Sequence, residues 1–210
     1  MLLPINLNGR PNADVVKPYV NAVDLVNRPS DTWVIDFGCS MPPEEASLYE
    51  APFEYARSVV HAERQKNRRE SYRKYWWRFA EPRPAMRMKL SALNRFIATP
   101  LVSKHRIFVW LPVSVLPANL LVAIARSDDT SFGVLHSRFH ESWSLRLCTW
   151  LGVGNDPRYT PSSTFETFPF PSGLEPNVPA AQYASDPRAV AIADAAECLT
   201  RISHQNWFRK

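Results

Sequence analysis

The sequence predicts an α+β protein. Its expected parts are a mixed sheet of short strands, one long basic helix and an amphipathic helix at the C-terminal end. Three observations carry that expectation. Runs rich in β-branched and aromatic residues recur at Phe96–Thr99, Ile107–Leu111 and Leu120–Ala125. Apolar residues at helical spacing mark two other stretches, one from Phe53 towards Trp77 and one after Pro187. Nineteen prolines against six glycines cut the chain into rigid segments rather than flexible linkers.

Taken in order, residues 1–30 read as loop. Asn8-Gly9-Arg10-Pro11-Asn12 is a turn sequence, and short apolar pairs mixed with Pro and Asp follow it. Trp33–Phe37 is β-rich and stops at Gly38, which predicts a short strand. Asp36 inside it is expected to cap a loop or to pair with an arginine. Pro42-Pro43-Glu44-Glu45 opens a helix, with proline in the first turn and acids beside the positive end of the dipole. Pro52 is expected to interrupt it. From Phe53 a long helix should continue, with Phe53, Ala56 and Val60 on one face and a polar middle from Arg64 to Lys74. Pro82 and Pro84 break it. Pro84 starts a shorter helix with Met86, Leu90 and Leu93 inward and Arg83, Arg87 and Lys89 outward.

The three strands come next, and Pro100–Arg106 links the first two. Asp128–Ser131 is a turn able to cap the following helix. In that helix Leu135, Phe139, Trp143 and Leu147 recur every fourth residue and give an apolar stripe, and Gly152–Pro157 ends it. Tyr159–Pro171 reads as an extended segment pinned by prolines, and residues 172–186 as a linker. Pro187 opens a closing helix whose inner face is Ile192, Ala195, Leu199 and Ile202. The expected organisation is one domain over residues 1–171, then a linker and C-terminal helix over 172–210.

Composition narrows the class. At 210 residues and 45% hydrophobic content, the chain can bury a core of one large domain. Cys39, Cys148 and Cys198 are odd in number and far apart, so buried reduced thiols are expected rather than a metal or redox pair. There is no apolar run long enough to span a bilayer and no signal-peptide layout at the N-terminus, so a soluble, cytoplasmic protein with no membrane partner is expected.

Charge is unevenly placed. Residues 57–106 hold fourteen of the twenty-five Lys and Arg but only three of the twenty acids, Glu63, Glu70 and Glu81. This segment has a net charge of +11, the rest of the chain −6. Tyr72, Tyr75, Trp76, Trp77 and Phe79 lie within it. Clustered cations neutralise phosphates, and flat rings stack on bases or pack under the cations. A solvated helix face would look similar, but it would normally carry acids at i,i+4, and these are scarce here. Nucleic acid is therefore the expected partner. Arg64, Lys66, Arg68, Arg69, Arg73, Lys74 and Arg78 are the candidates for phosphate. Lys104, His105 and Arg106, in the loop after the first strand of the sheet, are the candidates for closer contact with bases.

Tests for chemistry mostly fail. His136 and His140 stand four apart with Glu141 beside them, which could begin a zinc site, but no third ligand is evident. Gly152-Val153-Gly154 is a lone GxG after a helix rather than after a strand. Ser40-Met41-Pro42-Pro43-Glu44 has two prolines but lacks the polar residue and the aromatic that an adenine methyltransferase places around them. No P-loop or nucleophile elbow is present. The chain does not contain a complete active site.

Several phrases together resemble a known family. They are GRPNADVVKPYVNAVDLVNRPSDTWVIDFG, NRRESYRKYWW, RPAMRMKL, ATPLVSKHRIFVWL, SFGVLHSRFHESWSLRL and GVGNDPRYTPSSTFETFPFP. In this order they are similar to the C-terminal part of large MmeI-like DNA adenine methyltransferases, the type IIL or IIG restriction–modification enzymes. The resemblance covers roughly residues 5–205. It implies a target recognition domain that follows a catalytic domain. It also implies that S-adenosylmethionine and the methyl-transfer motifs belong to the parent enzyme, not to this chain. The expected partners are double-stranded DNA and a methyltransferase catalytic domain, in the same chain or as a separate subunit. Two other readings stand beside it: a metal-dependent nuclease using His136, His140 and Glu141, and a specificity subunit whose basic helix docks on an acidic protein.

Overall fold

The structure is a computed structural model that describes residues 6–27 and 29–207, with side chains as far as Arg201. The expected inner-face position of Ile202 lies outside the described side chains, as do residues 1–5 and Arg28 of the expected N-terminal loop. The α+β class with short strands holds. Chain contacts divide the backbone into two compact units, one holding Ser30–Lys89 and the chain before it up to Val20, the other Leu90–Val113 and the chain from Pro117 onward. The boundary expected at 171/172 does not coincide with that division.

In the first unit, β1 (Val16–Val20) pairs antiparallel with β2 (Trp33–Ile35), Lys17 opposite Val34. The second unit takes in α1 (Ala22–Val26), capped by Asn21. Residues 1–30 were expected as loop, so β1 and α1 correct that expectation. Pro18 and the short apolar pairs hid them. α2 (Pro43–Ala46) starts on proline as expected. α3 (Glu50–Ala56) contains Pro52 rather than ending at it, because Pro52 sits in the first turn, where an N–H has no helical partner to lose.

The long basic helix is segmented. α3 runs through a π-helical turn (Arg57–His61) into α4 (Ala62–Gln65), and α5 (Glu70–Lys74) starts afresh. Asn67 makes the break. Its side-chain oxygen accepts the Arg69 N–H at 2.9 Å, a local turn that competes with the helix. Arg73 Nη1 then donates to the carbonyls of Asn67 (2.7 Å) and Arg68 (3.1 Å). The core of this unit is Val15, Val16, Phe37, Ala46, Tyr49 and Ala56, with Trp76 and Trp77 packed against it. α6 (Pro84–Ser91) buries Leu90 as expected. Arg87, expected outward, turns in instead. Its fork holds the Asp36 carboxylate at 2.6 and 3.1 Å, a bidentate pair that sequence periodicity on α6 does not show.

In the second unit β3 (Arg95–Pro100) lies between β4 (Val109–Pro112) and β6 (Leu121–Ile124), antiparallel to both. Ser114–Leu116 returns to the first unit, where β5 (Leu116–Pro117) joins the β1–β2 sheet. α7 (Asp129–His136) is capped by Asp128, whose carboxylate accepts the Ser131 N–H at 2.8 Å. α8 (Arg138–Leu147) is a separate helix, because extended Ser137 ends one and caps the next. That break resets the helical phase, and the expected stripe does not form: Leu135 is buried but Phe139 is 83% exposed. β7 (Thr149–Leu151) and β8 (Asp156–Arg158) form a hairpin that the sequence reading missed. Gly152 and Gly154 sit there at positive φ, so the GxG is a hairpin turn and not a phosphate loop.

The Tyr159–Pro171 segment is not extended throughout. α9 (Pro161–Thr164) occupies part of it, and Phe168 packs on Phe170 at 5.0 Å. The expected linker carries α10 (Ala180–Tyr183) and packs Leu174 and Tyr183 against Ala189. α11 (Pro187–Trp207) closes the chain. Its Ile192 and Ala196 press on Gly133 of α7, where an added Cβ would meet Ile192 Cγ2 at 2.6 Å. The main core is Ile97, Phe108, Ile124, Phe132, Leu135, Tyr159 and Ala196. Cys198 is exposed and the other two thiols are half-buried, against the expectation of burial.

Candidate nucleic-acid interface

The seven basic residues proposed for phosphate all fall in the first unit, on either side of the Asn67 break. Two tyrosines organise four of them. The Arg64 and Arg69 guanidinium groups lie 5.2 and 5.4 Å from the Tyr72 ring, and Arg69 Nη1 also donates to the Tyr72 hydroxyl at 3.1 Å. Lys74 and Arg78 lie over Tyr75 at 5.5 and 4.2 Å. Rings under cations hold long side chains in place while the charge still faces outward. Lys66, Arg68, Arg69 and Lys74 are exposed; Arg64, Arg73 and Arg78 are half-buried.

Their engagements differ. Lys66 pairs with Glu63 at 2.8 Å, an exposed ion pair that a phosphate can displace at little cost. Arg73 holds the loop carbonyls, and Arg78 Nη1 donates to the Cys39 carbonyl at 2.7 Å. Arg68, Arg69 and Lys74 are thus the most available cations of the seven.

The other three candidates lie in the second unit. Lys104 and His105 are exposed at the tip of the β3–β4 loop. Arg106 is not. Its Nη1 donates to Thr99 Oγ1 at 2.9 Å and to the Pro100 carbonyl, and its Nη2 to the Pro157 carbonyl at 3.4 Å. It also lies over the Tyr159 ring at 4.9 Å. Burial pulls its pKa below the ordinary arginine value. Arg106 is therefore a strut between the loop and β8.

That strut brings a neighbour alongside. Val102 bridges Arg158, and the Tyr159 N–H donates to the Leu101 carbonyl at 2.7 Å. The β7–β8 hairpin thus lies beside the Lys104–His105 loop. It presents Trp150, Val153 (96% exposed) and Arg158 to solvent. None of these three residues stands out in the sequence. The available signal was two glycines flanking Val153 after the β-prone Thr149-Trp150-Leu151, while Asp156-Pro157 gives no strand signal.

His136 and His140, considered as metal ligands, sit on separate helices. His140 is fully buried. Its Nδ1–H donates to the Leu135 carbonyl at 3.0 Å and its Nε2 accepts the Tyr159 hydroxyl at 3.1 Å, so neither ring nitrogen is free. Burial pushes its pKa down to about 4 and raises that of Tyr159. His136 donates from Nε2 to the Phe108 carbonyl at 2.9 Å. Among the described residues no cluster of three or more His, Cys, Asp or Glu could hold a metal.

Residues 7–172 match the family model described as the MmeI target recognition domain. The chain belongs to that family. All ten candidate basic residues fall inside the matched range. Among solved structures, the MmeI-family chain is similar to the type IIL restriction–modification enzyme MmeI in complex with DNA, with a TM-score of 0.66 and 17% identity. The similarity covers 95% of this chain and 24% of that one, so the chain spans about a quarter of the enzyme it matches. A search of curated proteins finds no match. No helix among the described residues is long and apolar enough to cross a membrane.

Proposed function

We propose that this chain is the DNA-reading module of a larger S-adenosylmethionine-dependent N6-adenine methyltransferase of the restriction–modification type. Membership of the target recognition family over residues 7–172 carries this reading. In it, Arg68, Arg69 and Lys74, with Lys66 once freed from Glu63, hold phosphates and set register. The Lys104–His105 loop and the neighbouring hairpin with Trp150 and Arg158 supply contacts to base edges. The methyl group, its cofactor and the catalytic residues belong to a methyltransferase domain that this chain serves, either elsewhere in the same polypeptide or as a separate subunit.

Selection from a random duplex pool, followed by sequencing of the bound fraction, tests the reading. The expected result is enrichment of one short sequence whose affinity falls by about 1–3 kcal/mol for each changed base pair. Retention of all duplexes alike would leave only a charge-driven binder.

A further inference from the structure

A strand edge in the first unit opens onto an aromatic cleft. β2 lies at one end of its sheet, whose order is β2-β1-β5. The Tyr19 N–H donates to the Thr32 carbonyl at 2.9 Å and the Asp36 N–H to the Val15 carbonyl at 2.7 Å. Alternate residues of a strand direct their N–H and C=O groups to opposite edges. Thr32, Val34 and Asp36 thus serve the β1 side, and the backbone groups of Trp33 and Ile35 face away from it. Among the described residues no strand pairs with that outer edge.

Trp33, Val34 and Ile35 also line a cleft of about 620 Å³, together with Tyr55 and Trp76. Trp33 is 45% exposed and Tyr55 52%, so the cleft wall is open to a partner. Arg64 and Arg78 complete the lining, and none of the lining residues is acidic. Arg64 Nη1 and Arg78 Nε are buried with no hydrogen-bond partner. Neither arginine has an acidic partner among the described residues, so a carboxylate at the cleft would neutralise charge that the protein leaves open.

The three features call for one kind of occupant. A phosphodiester chain offers acceptors only, so it cannot match the alternating donors and acceptors of a strand edge. A polypeptide can. We propose that this cleft binds an extended acidic polypeptide segment, which adds as a strand beside β2, sets apolar side chains against Trp33 and Tyr55, and places a carboxylate on Arg64 and Arg78. The proposal does not depend on the DNA-reading role.

The test titrates the ¹⁵N-labelled full chain with a synthetic octapeptide that alternates glutamate with valine. Binding below about 1 mM is expected, with shifts centred on the Trp33 and Ile35 amides. Replacing every glutamate by glutamine should weaken it about tenfold, as should Arg64→Gln. N-methylation of alternate peptide amides should abolish it. Trp33→Ala should weaken the peptide about tenfold and leave duplex DNA affinity unchanged. No shift at Trp33–Ile35 up to that concentration overturns the proposal, as does equal binding of the N-methylated peptide. It also falls if a single-stranded thymidine octamer displaces the peptide from the cleft, or if Trp33→Ala weakens duplex DNA by the same factor, since the cleft would then belong to a nucleic-acid surface.

Discussion

Arg68 and Arg106 look alike in the sequence, each a basic residue in a basic stretch, and the structure gives them opposite surroundings. Arg68 is exposed on the turn after α4, and Arg106 is bound to three protein acceptors. Changing Arg68 and Arg69 to Ala should weaken binding to every duplex about equally. It should also flatten the slope of log affinity against log salt by roughly one to two units, read by fluorescence anisotropy at several salt concentrations. A wild-type slope in the double mutant would remove this turn from the interface. Arg106→Ala should instead lower stability by about 1–3 kcal/mol, because it strands buried carbonyls. A urea midpoint would show it, while Lys104→Ala should leave that midpoint in place. His140 gives a pH signature. Its pKa of about 4 in the folded protein lies below the ordinary value of 6.5, so the unfolded chain binds the proton first. Stability is therefore full above about pH 6.5 and lost as pH falls towards 4, by about 2 kcal/mol at pH 5. His136, also shifted down by burial, acts in the same direction. Thermal melts at pH 7 and pH 5 should show the loss, and His140→Gln should reduce the difference between them.

At the scale of elements, the contact of α7 with α11 rests on Gly133. Alanine in a helix is favoured over glycine by about 1 kcal/mol, but here its Cβ would meet Ile192 Cγ2 at 2.6 Å and the Ile192 carbonyl oxygen at 2.8 Å. Backbone cannot step aside as a flexible side chain can, so overpacking wins, and Gly133→Ala should destabilise the protein by about 1–3 kcal/mol in denaturant melts. The elements that sequence reading found were those with a clean local signal: β3, β4 and β6 from β-branched runs, α2 and α11 from proline starts, α7 from its Asp128 cap. Those it misjudged turn on single residues whose effect depends on context. Asn67 and Ser137 each interrupt a helix that periodicity alone carries through, and moving the phase at Ser137 brings Phe139 to the surface. Pro52 reads as a breaker yet fits a first turn. The basic character of the site was legible because charge needs no geometry to be counted. The availability of each cation was not, because it depends on long-range partners such as Cys39 for Arg78 and Pro157 for Arg106.

At the scale of the whole molecule, the purified chain should transfer no labelled methyl from S-adenosylmethionine to duplex DNA. The motivation is that neither the Gly152–Gly154 turn nor the Pro42–Pro43 pair has the surroundings such chemistry needs. Measurable transfer by the chain alone would overturn its assignment as a reading module. The stretch beyond Pro171 bears on how such modules could be exchanged between relatives. Arg126 donates from Nη1 to the carbonyls of Pro176 (3.0 Å) and Val178 (2.9 Å), and from Nη2 to the Tyr183 hydroxyl, while its Nε serves Asp128 and Ser131 at the start of α7. A graft that stopped where the family signature stops would leave that guanidinium without three of its acceptors and α7 without Ile192 and Ala196 to lean on. A transplant of specificity from one enzyme to another has to carry the C-terminal tail with it, or mismatch the tail already there.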